Sequence, residues 1–426
     1  MSTAYTKAHV ESTRHAPKLP AGVDIVDSQT GVAASVWHFL YERVWRRFRD
    51  TVSDAYNNQY YPLGYSRGLD GLRGLMTIGT MTSHIYHPAI PGSVLFMDIF
   101  YVLSGYFITG LLIRDTRQHG TVRFGSFYRR RFSRLLPPLF TMIALFLIFG
   151  YFLAPPFADL VREALGTLFY FTNWWRAFRW PGTFYLGHTW SLAVEEQFYL
   201  LWPITFLLFF RLWGVGWRML AGIFSIAAVV WIWRCWLTWN GAPFQRLYNG
   251  FDTRADALMM GCALAVVLAL VSLENRPGFD RLLKLLTWPV TVIFLMFTFF
   301  FIDNTDRYYY YVGIPLLGAG LGVALIVILI RPLDTVLHRV LGRRELVFLG
   351  RIFYAMYLFH FPMFMMMQKY GFPIWQRVVF GYPITVLLAL LSYAFIESHF
   401  MRTKKSTEPA RPVIGMKIIE QPQPGV

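Results

Sequence analysis

Apolar runs of about 20 residues, each long enough to cross a bilayer as a helix, recur along most of this chain between short polar turns. Ten spans follow from them, at roughly 70–88, 93–113, 136–154, 190–210, 217–236, 254–272, 285–302, 310–330, 348–368 and 379–399. The expected fold class is therefore all-α, a polytopic membrane protein with about ten transmembrane helices. An even number of spans puts both ends of the chain on one side. Of the 40 Lys and Arg residues, 30 fall in the segments on that side, 9 on the other, and Arg73 lies inside the first span. Positive charge accumulates in cytoplasmic loops, so both termini are expected in the cytoplasm.

The pattern changes at the two ends and in two connections. Residues 1–66 read as a cytoplasmic extension, polar at first and then amphipathic over 31–50, where Trp37, Phe39, Leu40, Val44, Trp45 and Phe48 are interspersed with arginines. Such a helix suits either the anionic leaflet or a seat against the membrane domain. Residues 67–400 read as the transmembrane domain, and 401–426 as a disordered tail. Connection 114–135 holds seven arginines and no lysine. Arginine suits planar, two-pronged phosphate recognition, which makes Arg129, Arg130, Arg131 and Arg134 a candidate phosphate site. Topology alone explains some of them. Connection 155–189 is expected to hold an amphipathic helix over Asp159–Thr172 and then an aromatic run. There Trp174, Trp175 and Trp180 suit either stacking on sugar rings or an interfacial belt.

Composition narrows the function. The chain is 55% hydrophobic and 15% charged, so its net charge of +16 speaks first of topology. Membrane lipids are expected partners, and nucleic acid is not. Cys235 and Cys262 lie in apolar runs and offer neither a disulfide framework nor metal-ligand spacing. The first 30 residues carry no secretory signal, and no phosphate-binding glycine loop, HExxH or GxSxG motif is present. The chemistry then has to come from ionisable residues inside the spans, which are functional candidates by default.

The densest stretch is Leu69 to Gly105, two spans joined by a Pro/Gly turn. Arg73 and His84 are eleven residues apart, which returns to within roughly 20° of one helix face about 16 Å further along. They face a second helix with Asp98 and Ser104, so a polar cavity is expected; a structural network of Arg73, Asp70 and Asp98 is the plain alternative. His84 and His87 could share a metal, but no third ligand has a convincing position, and no metal is expected. Further on, Glu195 and Glu196 follow His188 by seven and eight residues, and only one of the two carboxylates easily faces a cavity with Ser191 and Tyr199. The other would pair with a neighbouring span or sit at an interface, and a carboxylate tied to an arginine such as Arg254 is the plain structural alternative. Asp252 and Asp256 flank Arg254 on one expected helix face at the external mouth, suited to a hydroxylated acceptor or to an ion-pair brace. His360 lies inside the ninth span, and Tyr393 and Glu397 share a face of the last.

Taken together and in order, LDGLRG with Arg73-x10-His84, DIFYVLSGYFITG, RRRFSRLLPP, HTWSLAVEEQFYLLWP, DTRADALMMG, YAMYLFHFP and SYAFIE resemble the acyltransferase-3 family of integral membrane O-acyltransferases, over roughly residues 67 to 400. The resemblance implies transfer of an acyl group, commonly acetyl, from cytoplasmic acyl-CoA (acetyl-CoA) to a hydroxyl of a carbohydrate or glycolipid acceptor. It implies a bacterial cell membrane as the location. It maps the family's Arg-x10-His pair onto Arg73 and His84, its basic-loop motif onto Arg130 and Arg134 as donor-binding residues, and its SLxVE glutamate onto Glu195. On the residues themselves, Glu195 or another carboxylate is expected to orient His84, Ser104 to join the donor side, and His188, Asp252, Arg254 and His360 to contact the acceptor. Tyr101 departs from the family's usual Phe. Some relatives carry an appended extracytoplasmic hydrolase-like domain. Here a stand-alone enzyme, or one with a separate extracytoplasmic partner protein, is expected. A transporter or flippase of a glycolipid or polysaccharide unit is the reading from another class, though no internal repeat supports it.

Overall fold

The computed structural model describes residues 40–57, 66–153, 156–182, 184–271, 273, 276–301 and 306–400. Among them there are helices and no strand. The body of the fold is α1 (Arg67–Ile85), α2 (Val94–His119), α3 (Phe124–Leu153), α4 (Phe157–Leu168), α5 (Thr172–Ala177), α6 (Trp190–Trp213), α7 (Trp217–Trp239), α8 (Ala255–Leu270), α9 (Pro277–Phe300), α10 (Tyr309–Ile330), α11 (Arg344–Arg351), α12 (Phe353–Lys369) and α13 (Ile374–Phe400). Seven of the described helices are long and apolar enough to cross a membrane, or eight if the bent pair α11–α12 counts as one span. The remaining two of the ten expected spans are helices as well. One is α1, which carries Asp70, Arg73 and His84; the other is α8, with 16 residues.

Two sequence expectations need correction. The arginine-rich connection 114–135 is mostly helix: α2 runs to His119, left-handed Gly120 (φ 70°) closes it, and α3 has already begun at Phe124. Arginine is a good helix former, so the helices outrun their apolar segments. The ninth span is two helices bent by 74° between Arg351 and Phe353. The amphipathic segment falls partly outside the described residues, but Leu40–Trp45 and Arg46–Asn57 are helical. Contacts separate residues up to Arg47 from a body that starts at Phe48. Within that body Phe48 stacks on Phe395 at 6.0 Å and Tyr56 meets Phe348 edge-on at 5.7 Å, so residues 48–57 pack on the helical domain. The tail 401–426 lies outside the described residues.

α2 is the hub. Inside the fold 72% of its apolar window is buried, against 22% for α7 and α9 and 28% for α13, whose exposed apolar faces suit lipid. It reaches α8 so closely that a Cβ on Gly105 would overlap the Leu258 carbonyl, and one on Gly261 the Val102 carbonyl. Small residues at helix contacts let backbones approach in this way. The charges inside this core are paired. Asp98 of α2 accepts from Arg254, just before α8, and from the Tyr309 hydroxyl of α10, while Gly318 leaves room for the carboxylate. Arg234 of α7 pairs with Asp256 at 2.7 Å and donates to the carbonyls of Tyr310 and Thr253. Both arginines are fully buried. The expected Arg73–Asp70–Asp98 network therefore divides, because Asp98 has Arg254 as its partner and Asp70 has Arg73 at 3.6 Å and Arg351 at 3.8 Å.

Breaking a buried pair by removing one partner strands the other charge, at a cost of about 3–5 kcal/mol. Asp98→Asn and Arg254→Met should each lower the unfolding temperature of the purified protein clearly in a thermal scan in detergent. The double replacement Asp98→Leu/Arg254→Met should recover most of that loss, since it strands no charge.

Candidate functional site

Three elements carry the candidate chemistry, each at two levels. On α1, Arg73 and His84 are separated by about 16 Å of helix rise. The 3₁₀ turn Gly187–Thr189 holds His188 and leads into α6, where Glu195 lies two turns further on. α12 opens with Phe353 and Tyr354 and reaches His360 two turns later. At one level Arg73, Glu195, Phe353 and Tyr354 line a common cleft. At the other His84, His188 and His360 pack together. α1 and α12 thus run in one direction through the bundle and α6 in the other.

The cleft measures about 250 Å³ and is also lined by Ser104, Tyr199, Arg114, Arg131 and Arg134. Ser104 donates to the Glu195 carboxylate and accepts from the Tyr199 hydroxyl at 3.2 Å. Arg73 is held between the rings of Phe107 (4.6 Å) and Phe353 (5.4 Å), and Arg131 lies over Tyr199 at 4.3 Å. Four guanidiniums and one carboxylate line the cleft, a balance that suits a multiply charged anion. Arginine suits it because its planar group stacks on aromatic faces and still presents a fork of donors.

Of the pair Arg130 and Arg134, only Arg134 lines the cleft. Arg130 is exposed and donates to Ser126 at 2.5 Å. Arg131 takes its place. The signal was in the sequence: Phe127, Leu135 and Leu139 form the buried stripe of α3, and Arg131 continues that stripe at steps of four. Ser104 lines the cleft as well. Arg114 joins them from the far end of α2, fifteen or more residues away in sequence from the arginine run of α3.

In the imidazole cluster, His84 and His360 lie nearly parallel, 5.1 Å between ring centroids, with Nδ1 of His84 2.8 Å from Nε2 of His360. Nδ1 of His360 is 3.2 Å from the Met356 carbonyl. His188 meets His360 edge-on at 5.4 Å and stacks on Phe361 at 5.0 Å. Tyr357 ties the cluster to α6, donating to the His188 carbonyl at 2.8 Å and sharing a 2.6 Å contact with Ser191. His84 alone of the three is partly exposed; His188 and His360 are 2% and 0% exposed. Among the described residues no group of three His, Cys, Asp or Glu side chains is disposed to hold a metal ion.

Several expected contacts are corrected by this geometry. Glu195 lines the cleft, bonded to Ser104, and it is His360 that meets His84. Its neighbour Glu196, a step of 100° around the helix, is absent from the cleft lining, buried, and does not pair with Arg254. His188 and His360 are closed off from an acceptor by burial. Arg254 is fully buried against Asp98. Asp252 sits in a 3₁₀ turn, off the helix that carries Asp256, and pairs with Arg246 while accepting from the Trp233 indole at 2.8 Å. A buried guanidinium takes the nearest carboxylate, so the bracing reading of Asp252 to Asp256 prevails. Tyr101, the departure from the usual Phe, lies under Arg254 with its ring 5.7 Å from the guanidinium carbon. Trp175 is turned inward, donating to the Pro181 carbonyl at 3.1 Å. Trp174, Phe178, Trp180 and Phe171 stack on one another instead.

Comparison with known proteins adds to this. A family described as an acyltransferase domain, of the acyltransferase-3 type, matches residues 66–395. Peptidoglycan O-acetyltransferase OatA of Listeria monocytogenes is 33% identical over 357 residues, 80% of this chain and 56% of that protein. YrhL of Bacillus subtilis, provisionally described as a peptidoglycan O-acetyltransferase, is 31% identical over 78% of this chain and 54% of its own length. A Staphylococcus aureus protein, provisionally described as an O-acetyltransferase, is 30% identical over 81% of this chain and 58% of its own length. The chain thus spans a little over half the length of these relatives. No solved structure matches it.

If the arginines of the cleft hold a multiply phosphorylated ligand, the two neighbours should respond differently to the same exchange. Arg131→Lys keeps the charge and loses the stacked fork on Tyr199, so affinity for coenzyme A should fall about tenfold by calorimetric titration, the order of a desolvated cation–π contact. Arg130→Lys should change it less than twofold.

Proposed function

Since the chain belongs to the acyltransferase-3 family of membrane acyltransferases, we propose that it moves an acetyl group from acetyl-CoA to a hydroxyl of a carbohydrate, with His84 as the general base. One observation carries the reading: a cleft of four arginines and a cluster of imidazoles occupy two successive levels of the same elements. The cleft suits the phosphates of the donor. From there the pantetheine arm leads the thioester along α1 toward His84. The acceptor hydroxyl attacks the thioester carbonyl carbon; its proton passes to His84, and the leaving thiolate takes that proton back. Arg73 lines the same cleft as the other three arginines, where its charge favours an anionic donor.

The relatives named as peptidoglycan O-acetyltransferases make a glycan of the cell envelope the natural acceptor class. The stacked rings of Trp174, Phe178 and Trp180, with Arg246 5.6 Å from the Trp174 ring, suit the apolar face of a sugar. The 30 to 9 charge distribution favours a donor from the cytoplasm and an acceptor from the outer face. Transport of a glycolipid unit has no feature of the site in its favour.

In vesicles of known orientation, labelled acetyl should pass from acetyl-CoA on the cytoplasmic face to a soluble oligosaccharide on the other. His84→Ala should reduce this at least about 1,000-fold, the scale of losing general-base catalysis, while leaving coenzyme A affinity within twofold. Turnover only with both substrates on the cytoplasmic face would refute transfer across the bilayer. Full activity of a folded His84→Ala protein would refute the role of the imidazole.

A further inference from the structure

His360 is fully buried and cannot touch an acceptor, yet its Nε2 lies 2.8 Å from Nδ1 of His84, closer than its Nδ1 lies to the Met356 carbonyl. We infer that His360 is a positioning residue that fixes the tautomer of His84, by a relay from the Met356 carbonyl through both rings; this rests on His84 being the general base.

The argument is a count of donors and acceptors. A neutral imidazole has one N–H and one lone pair. The Met356 carbonyl can only accept, so the His360 nitrogen 3.2 Å from it, Nδ1, carries the hydrogen. Nε2 of His360 is then the lone pair. At 2.8 Å it requires a hydrogen on Nδ1 of His84. Nε2 of His84 is left unprotonated, on the one ring of the three that retains accessible surface. The order is Met356 carbonyl, His360, His84, acceptor hydroxyl, with every hydrogen pointing back toward the carbonyl.

The surroundings hold His360 in this orientation. Its ring sits edge-on to Phe364 at 5.7 Å and 5.4 Å from the Tyr357 ring, with His188 on the remaining side. Glu195, the carboxylate expected to orient the base, is bonded to Ser104 in the cleft. A neutral ring serves in this place without burying another charge in an apolar bundle. During transfer the acceptor oxygen forms its bond to the thioester carbon and its proton moves to Nε2 of His84. As the carbon–sulfur bond breaks, the electron pair leaves on sulfur and the thiolate takes the proton from Nε2. The Nδ1–H bond to His360 persists through both steps, so His360 exchanges no proton and does not react.

Two amides of similar polarity test this. In His360→Gln the carboxamide reaches the position of Nε2 and can accept from His84. In His360→Asn it is confined near the position of Nδ1 and cannot. His360→Gln should keep kcat within about fivefold of the parent, whereas His360→Asn and His360→Phe should lose about 10- to 100-fold, the scale seen when the partner of a functional imidazole is removed. The donor KM and coenzyme A affinity should stay within twofold in all three. Equal kcat in the Gln and Asn variants, high or low, overturns the relay. So does a loss that appears in donor KM instead of kcat. Activity in folded His84→Ala defeats the general-base reading on which the relay rests, and is distinguishable because it does not involve His360.

Discussion

A guanidinium inside an apolar helix bundle has to be paired, and the rest of this structure depends on how that demand is met. Arg254 and Arg234 have no accessible surface, and their carboxylates, Asp98 and Asp256, are supplied from α2 and α8. With Tyr309 and the Tyr310 carbonyl, the two pairs tie α2, α7, α8 and α10 into one block. Losing any member would leave a buried charge uncompensated, which is far more costly than the net worth of the pair. The block sets the position of α2, and α2 presents Ser104 and Phe107 to the cleft from its next turns. The bracing charges and the functional charges share a helix and do not share partners.

Close backbone approach does the rest. The glycine contacts between α2 and α8 bring two helices within carbonyl reach, and Gly74 with Gly350 does the same for α1 and α11. α11 then delivers Arg351 to Asp70, beside Arg73. The 74° bend that follows turns α12 so that Phe353 backs Arg73 and His360 backs His84. One bend thus supports both levels of the site.

Separating those levels has an electrostatic logic. Guanidiniums concentrate where an anion would be held, and a cluster of imidazoles occupies the place where a proton would move. Placing four cations beside the imidazoles would oppose protonation of the base during transfer. About 16 Å of helix between Arg73 and His84 weakens that opposition while leaving both on one stripe.

The sequence alone determined the helical class, the order of the elements, and the stripe that carries Arg73 and His84, because apolar run length and helical periodicity are local properties. It also marked the arginine cluster and the SLAVEE segment as functional, since ionisable residues in spans need a reason to be there. It did not determine partners. The pattern grouped Asp98 with Arg73, and only the packing of α2 on α8 paired it with Arg254. Arg130 and Arg131 differ by one step of 100°, and the buried stripe of α3 chose the second. His84 and His360 are 276 residues apart in the chain, and no local pattern relates them. Their 2.8 Å contact exists because the break between α11 and α12 aims one helix along another. Pairing across such distances is a property of helix placement, which only the tertiary structure fixes.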